Sequence, residues 1–296
     1  MIFDVSHRTS YRYSIPVSFS HHVLHLSPRP FTHQACHRTA LSISPTPTVQ
    51  ASTTDYFGNP VTHITLQEQH RELSLHARSV IEVHHTSRPA PSETRPWDEI
   101  YRMLETDISE DALESLQYVF DSPRTRSTVD LRDYAAASFP PGRPVLEGAL
   151  DLTRRIFEDF DYDDTATTVW TPVDEVFAGR RGVCQDFAHL ELACLRALRL
   201  PARYVSGYLL TKAPEGKSKL VGADASHAWI SVWCPGYGWV DLDPTNNLMV
   251  SVDHVAISIG RDYGDVSPVN GVIFGGGAHT VDVAVDVNPV EAVASD

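Results

Sequence analysis

The sequence predicts an α+β protein: an N-terminal antiparallel β-sandwich-like domain, then helices packed on a second antiparallel sheet. Three observations carry this reading. Residues 1–86 alternate polar and apolar side chains over short runs, the period of a strand. Residues 87–96, S-R-P-A-P-S-E-T-R-P, read as a stiff, extended linker. Over residues 97–296, apolar spacings of three and four come first, and strand alternation returns later. A chain of 296 residues with a 42% apolar share is long enough for two such units.

The elements follow in order. Thr9, Tyr11 and Tyr13 alternate with Arg8, Ser10, Arg12 and Ser14, and a separate strand is expected over residues 17–26. Residues 38–43 form the next strand, ended by Pro45 and Pro47. The turn signal D-Y-F-G-N-P-V, from Asp55 to Val61, joins strands at 49–54 and 61–66, and residues 73–83 alternate again. Past the linker, residues 97–104, 111–120 and 130–137 read as short helices, the second opened by a Ser109 cap. Leu146, Ala149, Leu150, Ile156 and Phe157 mark a helix of about four turns. Asp161, Asp163 and Asp164 resemble the start of a calcium loop. The loop glycine and the terminal glutamate are missing, so a solvated acidic turn is expected. Thr171 as cap and Pro172 at the first helical position open a short helix. Residues 184–198 form a helix with one buried apolar face. Strands follow at 202–210, 227–233 and 239–242, with a polar loop at 212–225. Two or three more strands lie between 255 and 287.

Composition narrows the function. No run of eighteen apolar residues exists and the N-terminus has no apolar leader core, so neither a membrane span nor a signal peptide is expected. A formal charge of −14 argues against nucleic acid and anionic membranes as partners. Cys36, Cys184, Cys194 and Cys234 show no Cys-x-x-Cys spacing, which fits free thiols in a reducing cytoplasm. Eleven of the fifteen histidines fall before residue 87, yet their spacing matches no ligand set. Surface or core-edge positions are expected for them, and nothing calls for a metal or other cofactor.

The chemistry centres on Cys184. It follows a glycine-punctuated loop, G-R-R-G-V, and opens the helix whose apolar stripe is Phe187, Leu190, Cys194, Leu195 and Leu198. Unpaired N–H groups and the macrodipole at a helix start stabilise a thiolate. A nucleophilic cysteine also needs an imidazole and a group that orients it. His227 begins one strand and Asp243 ends the next. A tight antiparallel hairpin sets the start of one beside the end of the other. Asp241 lies on the same strand face, but Asp243 is nearer the turn-out and is favoured. Asp224 sits in a loop and is a weak alternative. His189, five residues from Cys184, faces elsewhere and reads as structural. Cys194 belongs to the apolar stripe, and Cys234 sits in a turn with no evident partner.

Three blocks, G-V-C-Q-D-F-A-H-L, S-H-A-W-I-S-V-W and G-W-V-D-L-D-P-T, resemble those of the bacterial transglutaminase-like superfamily. The opening H-R-T-S-Y-R-Y, the L-S-P-R segment and the late G-R-D-Y-G-D-V-S-P-V-N-G-V and G-G-G-A-H-T-V blocks are similar to one bacterial branch that has a β-rich N-terminal domain. The resemblance implies a papain-like core with catalytic Cys184, His227 and Asp243. It also implies a thioester formed on Cys184 from a peptide or protein amide. The Cys184 backbone N–H is the expected oxyanion donor, and Trp170 is considered for a second, against a plain core aromatic. Asp186 complements the helix dipole on this reading. Hydrolysis of a peptide or isopeptide-like amide is the leading expectation, leaning on the polar character of the 212–225 loop. The alternatives are acyl transfer from a glutamine-type donor to an amine, and a non-catalytic binding module on the same fold.

Overall fold

A computed structural model describes residues 1–85, 87–211 and 226–290. The N-terminal part builds a sheet from β1 (Ile2–Leu24), β2 (Gln34–Ser44), β3 (Val49–Thr54), β4 (Pro60–Leu66) and β5 (His70–Val83), in the order β2-β5-β1-β4-β3. The two strands expected before residue 27 are one. Pro16 supplies no N–H, and the pairing of β1 with β5 shifts register between Arg12 and Val17. The chain stays extended across this break and changes neighbours: Ser20–Leu24 pairs with β4 instead.

The helices are α1 (Trp97–Leu104), α2 (Glu110–Leu116), α3 (Val129–Ala136), α4 (Val145–Asp159), α5 (Val173–Gly179), α6 (Cys184–Ala197) and α7 (Tyr263–Val266). Ser109 caps α2 by accepting the Ala112 N–H at 3.4 Å. Thr171 does not cap α5. Pro172 holds that position, and the Thr171 hydroxyl accepts the Thr168 N–H at 2.9 Å, closing the preceding turn instead. In the acidic stretch, Asp163 accepts the Thr165 N–H and hydroxyl at 2.9 and 2.7 Å. Two short strands there, β6 (Asp161–Tyr162) and β7 (Arg181–Gly182), pair in parallel.

The second sheet contains β8 (Ala202–Leu209), β9 (Ser226–Cys234), β10 (Gly238–Asp243), β11 (Leu248–Met249) and β12 (His254–Gly260), in the order β11-β10-β9-β8-β12. Helix α6 packs on β8 and β9. One buried face was expected of it, but every residue from Asp186 to Arg196 is buried. Its polar members are met by partners from elsewhere in the chain. Thr153 on α4 donates to Glu191 at 2.6 Å, and the Arg196 guanidinium donates to the carbonyls of Tyr118, Ala202 and Arg261. Gly207 allows the sheet to close: a Cβ there would lie 2.2 Å from the Val255 carbonyl oxygen.

The last strands, β13 (Val269–Gly275) and β14 (His279–Val290), return to β1 and make the first sheet seven-stranded. Between them Gly275 takes φ +97°, and a Cβ would sit 2.5 Å from the Pro16 carbonyl oxygen. Phe3, Val5, Val285 and Val287 of this sheet share a core with Tyr208, Val255 and Ile257 of the other. The edge strand β12 is covered by side-chain amides that copy a β ladder. Asn59 donates to the Ile259 carbonyl and accepts its N–H at 2.8 and 2.9 Å. Gln34 does the same to Ala256 at 2.7 and 2.9 Å. Several N-terminal histidines pair within the first sheet, for example His37 with Glu82 at 2.9 Å and His76 with Ser6 at 2.9 Å. Among the described residues, no helix is long and apolar enough to cross a membrane.

Asn59→Ala strands a buried N–H and carbonyl on β12. Urea denaturation is expected to register a loss of roughly 2–4 kcal/mol, the cost of two unpaired buried groups. A loss within ~0.5 kcal/mol would show that the clamp is not holding the edge.

Candidate active site

The loop before α6 delivers Cys184 to the first turn of the helix, half-buried. Asp186 fastens that turn. Its Oδ2 accepts the Val183 N–H at 2.9 Å and the Thr167 hydroxyl at 2.6 Å, so a carboxylate takes one of the otherwise unpaired donors. Burial lifts the Asp186 pKa, and these two bonds pull against the rise. Gly182 leaves room for it, since a Cβ there would lie 2.7 Å from Asp186 Oδ2. Asp186 thus closes the helix start as well as lying on the favourable side of its dipole.

The hairpin of β9 and β10 pairs Gly238 with Cys234 and Leu242 with Ile230. That register carries Asp243, at the end of β10, back to the start of β9. His227 Nε2 lies 2.7 Å from Asp243 Oδ2, with the His227 side chain 9% exposed and that of Asp243 fully buried. The carboxylate has further donors: His254 Nε2 at 3.1 Å and Asn246 Nδ2 at 2.7 Å on Oδ2, and the Thr245 and Asn246 N–H groups at 2.9 and 3.2 Å on Oδ1. Burial alone would raise the Asp243 pKa. The bonds from His227, His254 and Asn246 outweigh it and hold the carboxyl well below the usual range. Burial likewise pulls His227 down, but hydrogen bonds with Asp243 and Cys184 lift it from 6.5 to about 10. Cys184 and His227 open onto one cavity of about 340 Å³.

The remaining candidates lie apart from this cluster. Asp241 is taken by Trp229 Nε1 at 3.0 Å and by the Ser231 hydroxyl. His189 is buried, where it accepts the Tyr263 N–H at 3.1 Å, and burial lowers its pKa. Cys194 lies in the core with its thiol pKa raised by burial and by Glu191. Cys234 ends β9, also buried, and burial pushes it up to about 12. Trp170 is not a core aromatic. It is 78% exposed, the Arg124 guanidinium lies 4.7 Å from its ring centre, and it lines a different cavity from Cys184. Asp224 and the 212–225 loop lie outside the described residues.

His254 and Asn246 were not anticipated. His254 begins a strand and reaches Asp243 across the sheet, which no spacing reveals. Asn246 had a local signal: Asp243-Pro-Thr-Asn forms a turn in which the carboxylate accepts the next free N–H groups. Among the described residues, one set of three possible metal ligands converges: His227, Asp243 and His254, with their ligating atoms within 4.8 Å of one another. In these positions the two imidazoles already donate to the carboxylate.

Comparison with known proteins adds the following. Residues 3–82 match the model of the bacterial transglutaminase-like N-terminal region, and residues 132–244 that of the transglutaminase-like superfamily. An uncharacterised Mycobacterium tuberculosis protein is 40% identical over 303 residues, covering 99% of this chain and 94% of that one. A Pseudomonas aeruginosa protein-glutamine gamma-glutamyltransferase is 33% identical over 102 residues, 32% of this chain and 15% of that protein. A structure solved as a candidate cysteine protease of Cytophaga hutchinsonii superposes with a TM-score of 0.76 at 22% identity, covering 98% and 92% of the two chains.

The pKa shifts define a pH window for stability. His227 is raised in the folded state, so its contribution is complete below 6.5 and is lost as the pH climbs through about 10. Asp243 is depressed, so its contribution is complete above 3.8 and fails only in stronger acid. The stability gap between the wild type and His227→Gln, from urea melts at stepped pH, should plateau between these limits and close towards pH 10. A gap that widens with rising pH would contradict the pairing.

Proposed function

The chain belongs to the transglutaminase-like superfamily, and from that premise we propose that it is a cysteine-nucleophile amide hydrolase acting on a peptide or isopeptide-like bond. The observation that carries this is the His227 imidazole, bonded at Nε2 to buried Asp243 and sharing one cavity with Cys184 at a helix start. Cys184 Sγ attacks the amide carbon, the carbonyl oxygen gains negative charge, and the Cys184 N–H at the first turn of α6 faces that charge. As the C–N bond breaks, His227 passes a proton to the leaving amine. The product is a thioester on Cys184. Water, deprotonated by His227, then adds to the thioester and releases a carboxylic acid and the thiol. Asp243 holds the ring orientation and the imidazolium throughout, and His254 and Asn246 keep the carboxylate in place.

Hydrolysis is favoured because the cavity wall facing Cys184 stands half open to solvent, with Val281 45% and Val283 55% exposed. The transferase reading rests on the Pseudomonas relative, whose printed name is a glutamyltransferase. The proposed compartment is the cytoplasm, a reading that the four free cysteines suit.

Iodoacetamide at pH 5.5, followed by peptide mass spectrometry, should label Cys184 first. Burial raises the pKa of Cys36, Cys194 and Cys234, which keeps them as thiols. Equal labelling of Cys36 and Cys184 would remove the nucleophile assignment. The kcat/KM profile on an amide substrate should fall on the basic side with an apparent pKa near the His227 value of about 10. Asp243→Asn should lower kcat by roughly 10²–10⁴-fold with the fold intact. Incorporation of a labelled primary amine at the expense of acid product would select transfer over hydrolysis.

A further inference from the structure

The cavity beside Cys184 and His227 is walled on its far side by the N-terminal sheet. His7, Thr9 and Tyr11 of β1 pair with Val285, Val283 and Val281 of β14, so these residues share one sheet face. Farther along that face, Phe3, Val5, Val285 and Val287 are sealed against Tyr208, Val255 and Ile257 of the second sheet. The face therefore leaves the protein core and continues into the cavity as an uncovered apolar strip ending at Val281 and Val283.

Opposite His227, the β1–β14 wall of the cavity carries no formal charge among its described residues. Among its described lining residues there is no Asp, Glu, Lys or Arg, although such residues make up 21% of the chain. His7 adds none near neutral pH. It is buried, with Nδ1 2.6 Å from the Tyr208 hydroxyl and Nε2 3.0 Å from the Thr9 hydroxyl, and burial lowers its pKa to about 4. Burial raises the Tyr11 phenol to about 12, so it stays protonated. A charged side chain seated on this wall would be desolvated with no counter-charge among the wall's described residues, whereas an apolar one would complete a surface the sheet leaves open.

We propose that the β1–β14 face is the specificity wall of the site: it selects a peptide donor whose side chain next to the reacting amide is bulky, apolar and uncharged, seated on Val281 and Val283. The proposal rests on Cys184 being the nucleophile, and the test separates the two.

The test uses the full chain and a series of peptidyl vinyl sulfones that differ only in the residue beside the electrophile: Leu, Phe, Asp or Lys. Each second-order rate of Cys184 modification is divided by the iodoacetamide rate at Cys184 of the same protein. The Leu and Phe probes should react at least ~10-fold faster than the Asp and Lys probes, in line with side-chain discrimination by an apolar pocket. In Val283→Lys the normalised rates should shift by ~10-fold or more towards the Asp probe. Equal rates across the wild-type series, with Cys184 still the fastest thiol towards iodoacetamide, would overturn the specificity wall and leave the nucleophile in place. Failure of Cys184 to outpace the other thiols towards iodoacetamide would overturn both.

Discussion

A helix enclosed on every side cannot hold charge without partners, and α6 holds Asp186, His189, Glu191 and Arg196 inside the protein. Much of the second half of the chain is arranged around that requirement. α4 contributes the Thr153 hydroxyl to Glu191, whose acid group burial lifts to about 8. The segment after α2 contributes the Tyr118 carbonyl, Ser122 and Thr125 to Arg196. The N–H of Tyr263, the first residue of α7, donates to His189. These bonds fix the helix along its axis as well as about it, because each partner comes from a different element. Cys184 is the first residue of a rod held in place along its length, a constraint that would serve it in the proposed role of nucleophile.

The same logic governs His227, the proposed base. Asp243 would be costly to bury as an ion if His227 were its sole partner. Five bonds from His227, His254, Asn246 and Thr245 meet both carboxylate oxygens, so the charge is held by geometry instead of by water. The imidazole then sits between a fixed anion and a thiol at a helix start. The two sheets meet nearby: one supplies His227 and Asp243, and the other supplies the cavity wall opposite them.

Much of this was legible in the sequence. The helix start at Cys184 and the hairpin joining His227 to Asp243 follow from local periodicity and turn residues, which act over a few positions. What stayed hidden depends on distant partners. Apolar periodicity marked one face of α6, but its polar faces are buried because Thr153, Tyr118 and Tyr263 reach them from far along the chain. Thr171 and Pro172 match a helix-start pattern, yet Thr171 spends its hydroxyl on the preceding turn. Residues 17–26 read as a separate strand, while the pairing partners on either side of Pro16 keep β1 continuous. Trp170 resembled a core aromatic by composition alone, and its exposure beside Arg124 is a tertiary outcome.

β1 is the first strand made and it pairs with the last, Ile2 with Val290. Its neighbour β5 is available early, but the edge it offers to β14 stays open until residues 279–290 have been synthesised. At ordinary translation speeds that wait is on the order of tens of seconds. During it, an apolar strand face and an unpaired backbone edge are exposed together, the combination that invites pairing with the wrong chain. The closure that ends this exposure also brings Val281 and Val283 to the cavity beside Cys184. Chains that stop short of β14 therefore lack Val281 and Val283, the apolar part of the cavity's far wall.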